Sequence, residues 1–557
     1  MPSPDSDTPY AALTLAALPR AMGLQDDAPA SRTFGCCDRG YWHYKTLVDF
    51  PAATMQQLAL PFAILYAVDL PGNEHHGKAA MLDRAGSAMR FWCDIQHRGG
   101  AFDEWYRNEF SYCATAFTTA AMGQSLILLK DALDEATRQR VLDGISRANR
   151  WLAERFNPHV MNQNLAACVA LWCAHELAPQ DRLREALEAK WTRTLEHFSN
   201  EGWFREYDGP DCGYTTLALD LLAVLDRDDA PVEVRSAAEK MCRFLRLCCV
   251  RTGAPAARLG SRGTAHAFPF GVEHFAPDLP DAAAVAMPFR REYAAGRLIT
   301  PADADDRYLA YFYLPQFALA ATLDPARGLA APSDALPETF CSEREEIIVW
   351  RRDDADVVIA PQRNGALNLH LVDAAPRHVL GWIVETARGE RWTSCGGRSD
   401  RCGSVEVDHS TENVLIVRGW FSLIDDDLPL RRHAVAFHML NRWLLRFQPI
   451  AERFSAWLKR RKIRTRSVGP LKIERRIAWS EEGLTITDTL IAQPRSPRFT
   501  AILPAEDVTV HSPSARLRAA RTAASPAAAS AAERLNADGR IELVTVCRVG
   551  PSSRADA

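Results

Sequence analysis

Leu471-Lys472-Ile473-Glu474-Arg475-Arg476-Ile477-Ala478-Trp479-Ser480-Glu481-Glu482-Gly483-Leu484-Thr485-Ile486-Thr487-Asp488-Thr489-Leu490 reads as two β-strands and the turn between them. Leu471, Ile473, Ile477 and Trp479 alternate with Lys472, Glu474 and Arg476; past the turn, Leu484, Ile486 and Leu490 alternate with Thr485, Thr487 and Thr489. A period of two gives one apolar and one polar face, the signature of an antiparallel sheet with one solvated side. Upstream, Glu346–Arg352, Asp356–Ala360, Leu367–Val372 and Asn413–Trp420 repeat the signal. A run of such strands predicts an antiparallel β-sandwich over residues 340–511.

Before Pro332 the period becomes helical. Val141, Ile145, Ala148 and Leu152 share one face, as do Leu183, Leu187, Trp191 and Leu195. Further helices are expected at Tyr112–Leu129, Asn164–Leu177, Tyr214–Leu225, Val232–Val250 and Arg307–Leu323. Short connections such as Glu206–Gly213 and Pro277–Asp281 make these antiparallel hairpins, so residues 51–330 form a bundle, a solenoid or a toroid. Periodicity alone does not choose among the three. Residues 1–50 read as an N-terminal arm. The Ala-, Ser- and Arg-rich stretch 512–540 reads as a loose linker or insertion, and 541–557 as a final strand and tail.

The 557 residues, 47% hydrophobic and 24% charged, have the composition of a globular protein of two large domains. A net charge of −4 gives no reason to expect nucleic acid as a partner. No stretch reaches the ~20 uninterrupted apolar residues of a membrane span, and the acidic start Met1–Asp7 does not read as a signal peptide. The 14 cysteines are scattered without a C-x-x-C pair, as expected of buried reduced thiols. A cytoplasmic protein is the expectation. His75-His76 and His175-Glu176 lack partners at ligand spacing, so no metal is expected.

Polar and aromatic residues gather in the loops before helices. Gly99–Glu109 holds Trp105, Arg107 and Glu109; Met161-Asn162-Gln163-Asn164 opens a helix; Glu201–Tyr214 holds Glu206, Tyr207, Asp208, Asp211 and Tyr214; Gly260–His266 follows Arg258 and holds Arg262. Rings that stack on sugar faces, beside Arg, Asn and carboxylates that read hydroxyls, suit a glycan site. Each residue alone is as well explained as a loop anchor.

In the order of these segments the chain resembles the heparinase II/III-like polysaccharide lyases and the related alginate lyases. That resemblance implies an α+β fold, an incomplete α/α toroid followed by an antiparallel β-sandwich, and cleavage of uronic-acid-containing glycans by β-elimination without a cofactor. It implies catalytic roles for Asn164 (or Asn162) at the uronate carboxylate, for Tyr214 with Tyr207 as its rival, and for His266 as partner base. Asn162, Gln163, Trp105, Arg107, Glu109, Glu206, Arg258 and Arg262 would bind the acidic polysaccharide or oligosaccharide. The family's His at the helix start is missing from Asn162-Gln163-Asn164-Leu165, and its His motif early in the sandwich is replaced by Arg363-Asn364-Gly365-Ala366-Leu367-Asn368-Leu369-His370. Two rival readings are a glycoside hydrolase using paired carboxylates among Glu109, Glu206, Asp208 and Asp211, and a non-catalytic glycan-binding or assembly protein.

Overall fold

The computed structural model describes residues 8–548 apart from 47, 208, 229–230, 250–259, 262, 325–326, 332–334, 345, 353–354, 372–376, 396–405, 412, 425–432, 460–467, 481–482, 508–516 and 520–525. Helices fill the first 321 residues and two antiparallel sheets dominate the remainder.

The helices divide into two kinds, and the division explains the architecture. Tyr112–Leu129, Met161–Leu177 and Cys212–Leu225 are buried on nearly every side, whereas Glu135–Ala153, Asp181–Leu195 and Val234–Cys248 bury one stripe and expose charged residues. A helix apolar all round needs neighbours all round. The apolar helices accordingly form an inner ring running Ala59–Ala67, Tyr112–Leu129, Met161–Leu177, Cys212–Leu225, Phe270–Phe275 and Leu314–Ala321, and the last packs back on the first. The amphipathic helices lie outside it. Tyr112–Leu129 is long and apolar enough to cross a bilayer, but it is mostly buried in this ring. The N-terminal stretch is no detached arm: Tyr10–Leu24 packs on Leu314–Ala321 and joins the outer layer.

The first sheet has the order β1 (Thr339–Cys341), β2 (Ile348–Arg352), β3 (Ala355–Ala360), β4 (Ala366–Leu371), β5 (Arg377–Val379). The second runs β13 (Leu517–Ala519), β12 (Phe499–Asp507), β6 (Trp382–Thr386), β7 (Arg391–Thr393), β9 (Val414–Leu423), β10 (Val468–Ser480), β11 (Gly483–Ala492), β14 (Arg540–Arg548), with β8 (Glu406–Thr411) also on β9. Ile348, Val357 and Leu367 meet Leu415, Ile477 and Ile486 between the sheets, while Val349, Val358 and Ala366 join the helical core. The small sheet is therefore buried on both faces, and every residue of β3 and β4 is buried, Asp356, Asn368 and His370 included.

The β10–β11 hairpin has the register read from sequence, Leu471 opposite Ala492 and Ser480 opposite Gly483. Its interruption is Arg475, which falls on the inward face. Arg475 and its cross-strand partner Asp488 are fully buried and joined by two bonds of 2.6 and 2.8 Å. The guanidinium also donates to the carbonyls of Gly365 and Val379. Removing one member of such a pair typically costs about 3–5 kcal/mol, because the other charge stays buried.

Two segments differ from their sequence reading. The expected linker 512–540 contains a helix, Pro526–Asp538, that packs Ala531, Ala532 and Leu535 on the large sheet. Alanine is the best helix former, and this spacing makes a narrow apolar stripe. The connection between β9 and β10 holds a helical hairpin, Ala434–Trp443 and Gln448–Lys459, inside what read as all-β sequence. It carries apolar residues on two faces, so no single stripe announces it. Phe437, Leu445 and Ala451 cluster with Tyr106 of the helical domain, and Asn108 Nδ2 donates to the Asn441 carbonyl at 3.0 Å.

Candidate active site

The starts of the inner helices meet at one rim, where side chains tie each start to the next. Arg307 Nη2 donates to Glu104 Oε1 (2.9 Å), Tyr112 Oη to Asn164 Oδ1 (2.9 Å), Asn162 Nδ2 to Glu206 Oε2 (2.7 Å), and Thr264 Oγ1 to Asp211 Oδ1. His266 Nδ1 and Tyr313 Oη lie 2.7 Å apart. Ser111, Glu206 and Asp211 accept N–H groups at three of these helix starts.

Most of the sequence-singled carboxylates and amides are consumed by that architecture. Glu109 is buried, and its Oε2 accepts from the backbone N–H of Glu104 (3.2 Å) and Trp105 (2.7 Å), folding its own loop. Glu206 is gripped by Asn162 through both backbone N–H (2.9 Å) and side chain. Asp211 caps helix Cys212–Leu225 by accepting from Tyr214 N–H (3.1 Å). Asn164 is completely buried. Its oxygen accepts from Tyr112 and from Asn157 N–H (3.0 Å), and its nitrogen donates to the Asn157 carbonyl (2.7 Å) and faces Met161 Sδ. These bonds turn it into the helix start. Gln163 lies half-buried, its Oε1 accepting from Asn157 Nδ2 at 2.8 Å.

Tyr214 and His266 do come together, ring edge to ring face with centroids 6.1 Å apart. Tyr214 is half-buried, three residues past the Asp211 cap. His266 sits among Phe268, Tyr308, Phe312 and Tyr313. Burial pushes its imidazole down to about 3, so the ring is neutral at physiological pH. Nδ1 is engaged by Tyr313, while Nε2 has no hydrogen-bond partner among the described residues. Burial thus disfavours the charged form of this ring.

Tyr207 occupies left-handed backbone, φ 61°, with its N–H held by the His159 carbonyl at 2.6 Å. For a bulky residue this is a strained conformation of the kind that concentrates at functional sites. Trp105 is exposed, and Arg307 lies 3.7 Å over its ring. Arg107 is exposed too, facing a 280 Å³ recess shared with Trp443 and Arg442 of the inserted hairpin. Asp208, Arg258 and Arg262 lie outside the described residues.

Several participants had no signal in the sequence. Tyr308, Tyr311 and Tyr313 surround a turn of π-helix, Leu309–Tyr313, and such bulges recur at functional sites; their aromatic clustering was the only cue. The sandwich contributes Arg363, whose guanidinium packs against Gly263, and Glu346, which lies against Gly209. Gly263 is in left-handed backbone (φ 62°), and a Cβ there would come within 2.2 Å of Arg363 Nη1. The small sheet thereby reaches the loops that carry Tyr207 and His266. A larger recess of 670 Å³ opens between helix Gln448–Lys459 and the rim, lined by Arg155, His159, Arg453 and Trp457. Among the described residues no cluster of three or more His, Cys, Asp or Glu is placed to hold a metal ion.

No protein-family profile and no curated protein matches the sequence. Solved structures do match in fold. A chondroitin AC lyase from Streptomyces coelicolor A3, solved with chondroitin sulphate, superposes with a TM-score of 0.52 at 10% identity over 93% of this chain and 72% of that one. A Paenibacillus xanthan lyase gives 0.51 at 11% identity over 90% of this chain. This chain spans 47% of that enzyme's length. At such identities the likeness shows the fold: an α/α toroid with β domains, as in polysaccharide lyases.

Proposed function

We propose that the protein is a polysaccharide or oligosaccharide lyase that cleaves uronic-acid-containing glycans by β-elimination. The observation that carries this reading is the contact of Tyr214, half-buried at the start of an inner helix, with the ring of His266. Tyr214, its phenol proton released to solvent, takes the C5 proton as phenolate, and the C–H electron pair moves into the uronate carboxylate as an enolate. That pair then forms the C4–C5 double bond as the C4–O bond breaks, and Tyr214 returns the proton to the leaving oxygen. His266 positions the phenol through the contact of the two rings. Gln163 and Arg363 take the carboxylate-facing role first expected of Asn164. The hydrolase reading is weakened because Glu109, Glu206 and Asp211 are already held by the fold.

The test is incubation with xanthan, chondroitin sulphate and alginate oligosaccharides, following near-ultraviolet absorbance and reducing ends together. A lyase raises both in step. Reducing ends without absorbance indicate hydrolysis, and binding without either indicates a glycan-binding protein; both results reject the proposal.

A further inference from the structure

The inserted hairpin that packs on the rim buries one face and leaves another uncovered. Phe437, Leu445 and Ala451 are turned onto Tyr106. Val435, Met439, Trp443, Leu444, Phe447 and Ile450 are exposed within one short stretch, Val435 at 75% and Trp443 at 66%, and Val435, Met439 and Trp443 border the recess that Asp49 and Arg107 also line. Val435, Met439 and Trp443 repeat every four residues, so they line one side of their helix. A contiguous apolar patch of this kind marks an interaction surface.

Its charges identify the partner. Arg442, Arg446 and Arg453 are exposed beside the patch. Glu452 is the single acid of the hairpin, and it is paired with Arg155 at 3.4 Å. In sequence the hairpin runs directly into Lys459-Arg460-Arg461-Lys462-Ile463-Arg464-Thr465-Arg466, of which 460–466 lie outside the described residues. This local positive charge belongs to a chain whose net charge is −4. A second copy docking by the same face would bring like charges together. A glycan would gain little from Val435, Met439, Leu444 and Ile450, which offer neither flat rings for stacking nor groups that read hydroxyls. Tryptophan, phenylalanine and aliphatic side chains flanked by arginine match the boundary between lipid headgroups and acyl chains.

We infer that the hairpin 434–459 docks the protein on an anionic phospholipid surface, with the apolar side chains at the acyl boundary and the arginines among the headgroup phosphates. The hairpin lies on the surface without crossing it, and it holds the mouth of the ring at the membrane. The inference rests on this surface alone and is independent of the proposed chemistry.

Flotation of the full chain with vesicles tests it. The protein should rise with phosphatidylcholine vesicles containing about 30% phosphatidylserine and stay behind with pure phosphatidylcholine. Combined Trp443→Ser, Phe447→Ser and Ile450→Ser should reduce partitioning roughly tenfold or more. Arg442→Glu with Arg446→Glu should reduce it similarly at low salt, and added salt should weaken wild-type binding. All these positions are exposed, so the variants should keep the wild-type melting temperature. Failure of the wild type to float, or equal flotation of the apolar triple variant, overturns the inference. So does loss of self-association, or of retention on an immobilised acidic polysaccharide, in the triple variant when the wild type does not float.

Discussion

Two rim loops of similar composition behave differently. Asp103–Glu109 and Glu206–Tyr214 each combine carboxylates and tyrosine just before an inner helix. In the first, Glu109 and Asp103 accept backbone N–H groups of their own loop, and Tyr106 disappears under Phe437 and Phe454. The second loop spends its acids on capping and bracing, but delivers Tyr214 half-buried to His266. Where the tyrosine is delivered, not residue type, separates the two loops: Tyr106 packs under the hairpin, and Tyr214 reaches His266.

Replacing His266 with Leu should break the second loop's advantage most. Turnover should fall on the order of 10²-fold, as for misplacement of a reacting group, with the melting temperature within a few degrees of wild type. A variant that loses fold and activity together would make His266 a packing residue only.

Asn164→Ala sharpens the contrast from the bracing side. It removes the acceptor of the Tyr112 hydroxyl and of the Asn157 N–H, so unfolding free energy should fall by about 1–3 kcal/mol. Folded enzyme should retain kcat. A loss of kcat at unchanged stability would return Asn164 to the substrate. Glu109→Gln should behave like Asn164→Ala and cost about 1–2 kcal/mol, since a charged acceptor of two N–H groups becomes neutral.

Acid stability gives a smaller, graded effect. His266 stays neutral in the fold down to about 3, whereas the unfolded chain protonates it near the ordinary value of 6.5. Between these values the unfolded chain binds more protons, so stability falls as pH drops, by on the order of 2 kcal/mol at about pH 5. His370, pushed down to about 4 by burial, adds to the slope with the same sign. Denaturation curves from about pH 7 to 4.5 should show the decline, shallower but not absent in His266→Gln. Arg107→Ala, at an exposed position, should change stability by less than about 0.5 kcal/mol.

The helices and strands were legible because their periods are long and clean, as in Val141–Leu152 and Leu471–Leu490. The closure of the ring was not, since an apolar helix such as Met161–Leu177 looks the same in a bundle. Arg475 breaks its strand's alternation, and only the pairing with Asp488 explains it. Tyr214 and His266 could be named because each sits where a polar loop meets a helix or an aromatic run. Glu346, Arg363 and Tyr313 could not, because chain reversals bring them to the rim across long sequence separations. Glu109, Glu206 and Asn164 looked functional by composition, and sequence does not reveal which hydrogen bonds a side chain has already made.

The central claim is that Tyr214, and not Tyr207, moves the proton. The direct measurement is the rate of unsaturated-product formation by Tyr214→Phe and Tyr207→Phe, side by side with wild type on the best acidic oligosaccharide. Tyr214→Phe should lose roughly 10²- to 10⁴-fold in kcat with substrate affinity nearly unchanged, and Tyr207→Phe should stay within about tenfold. Near-wild-type turnover by Tyr214→Phe, or abolition by Tyr207→Phe alone, would contradict the account.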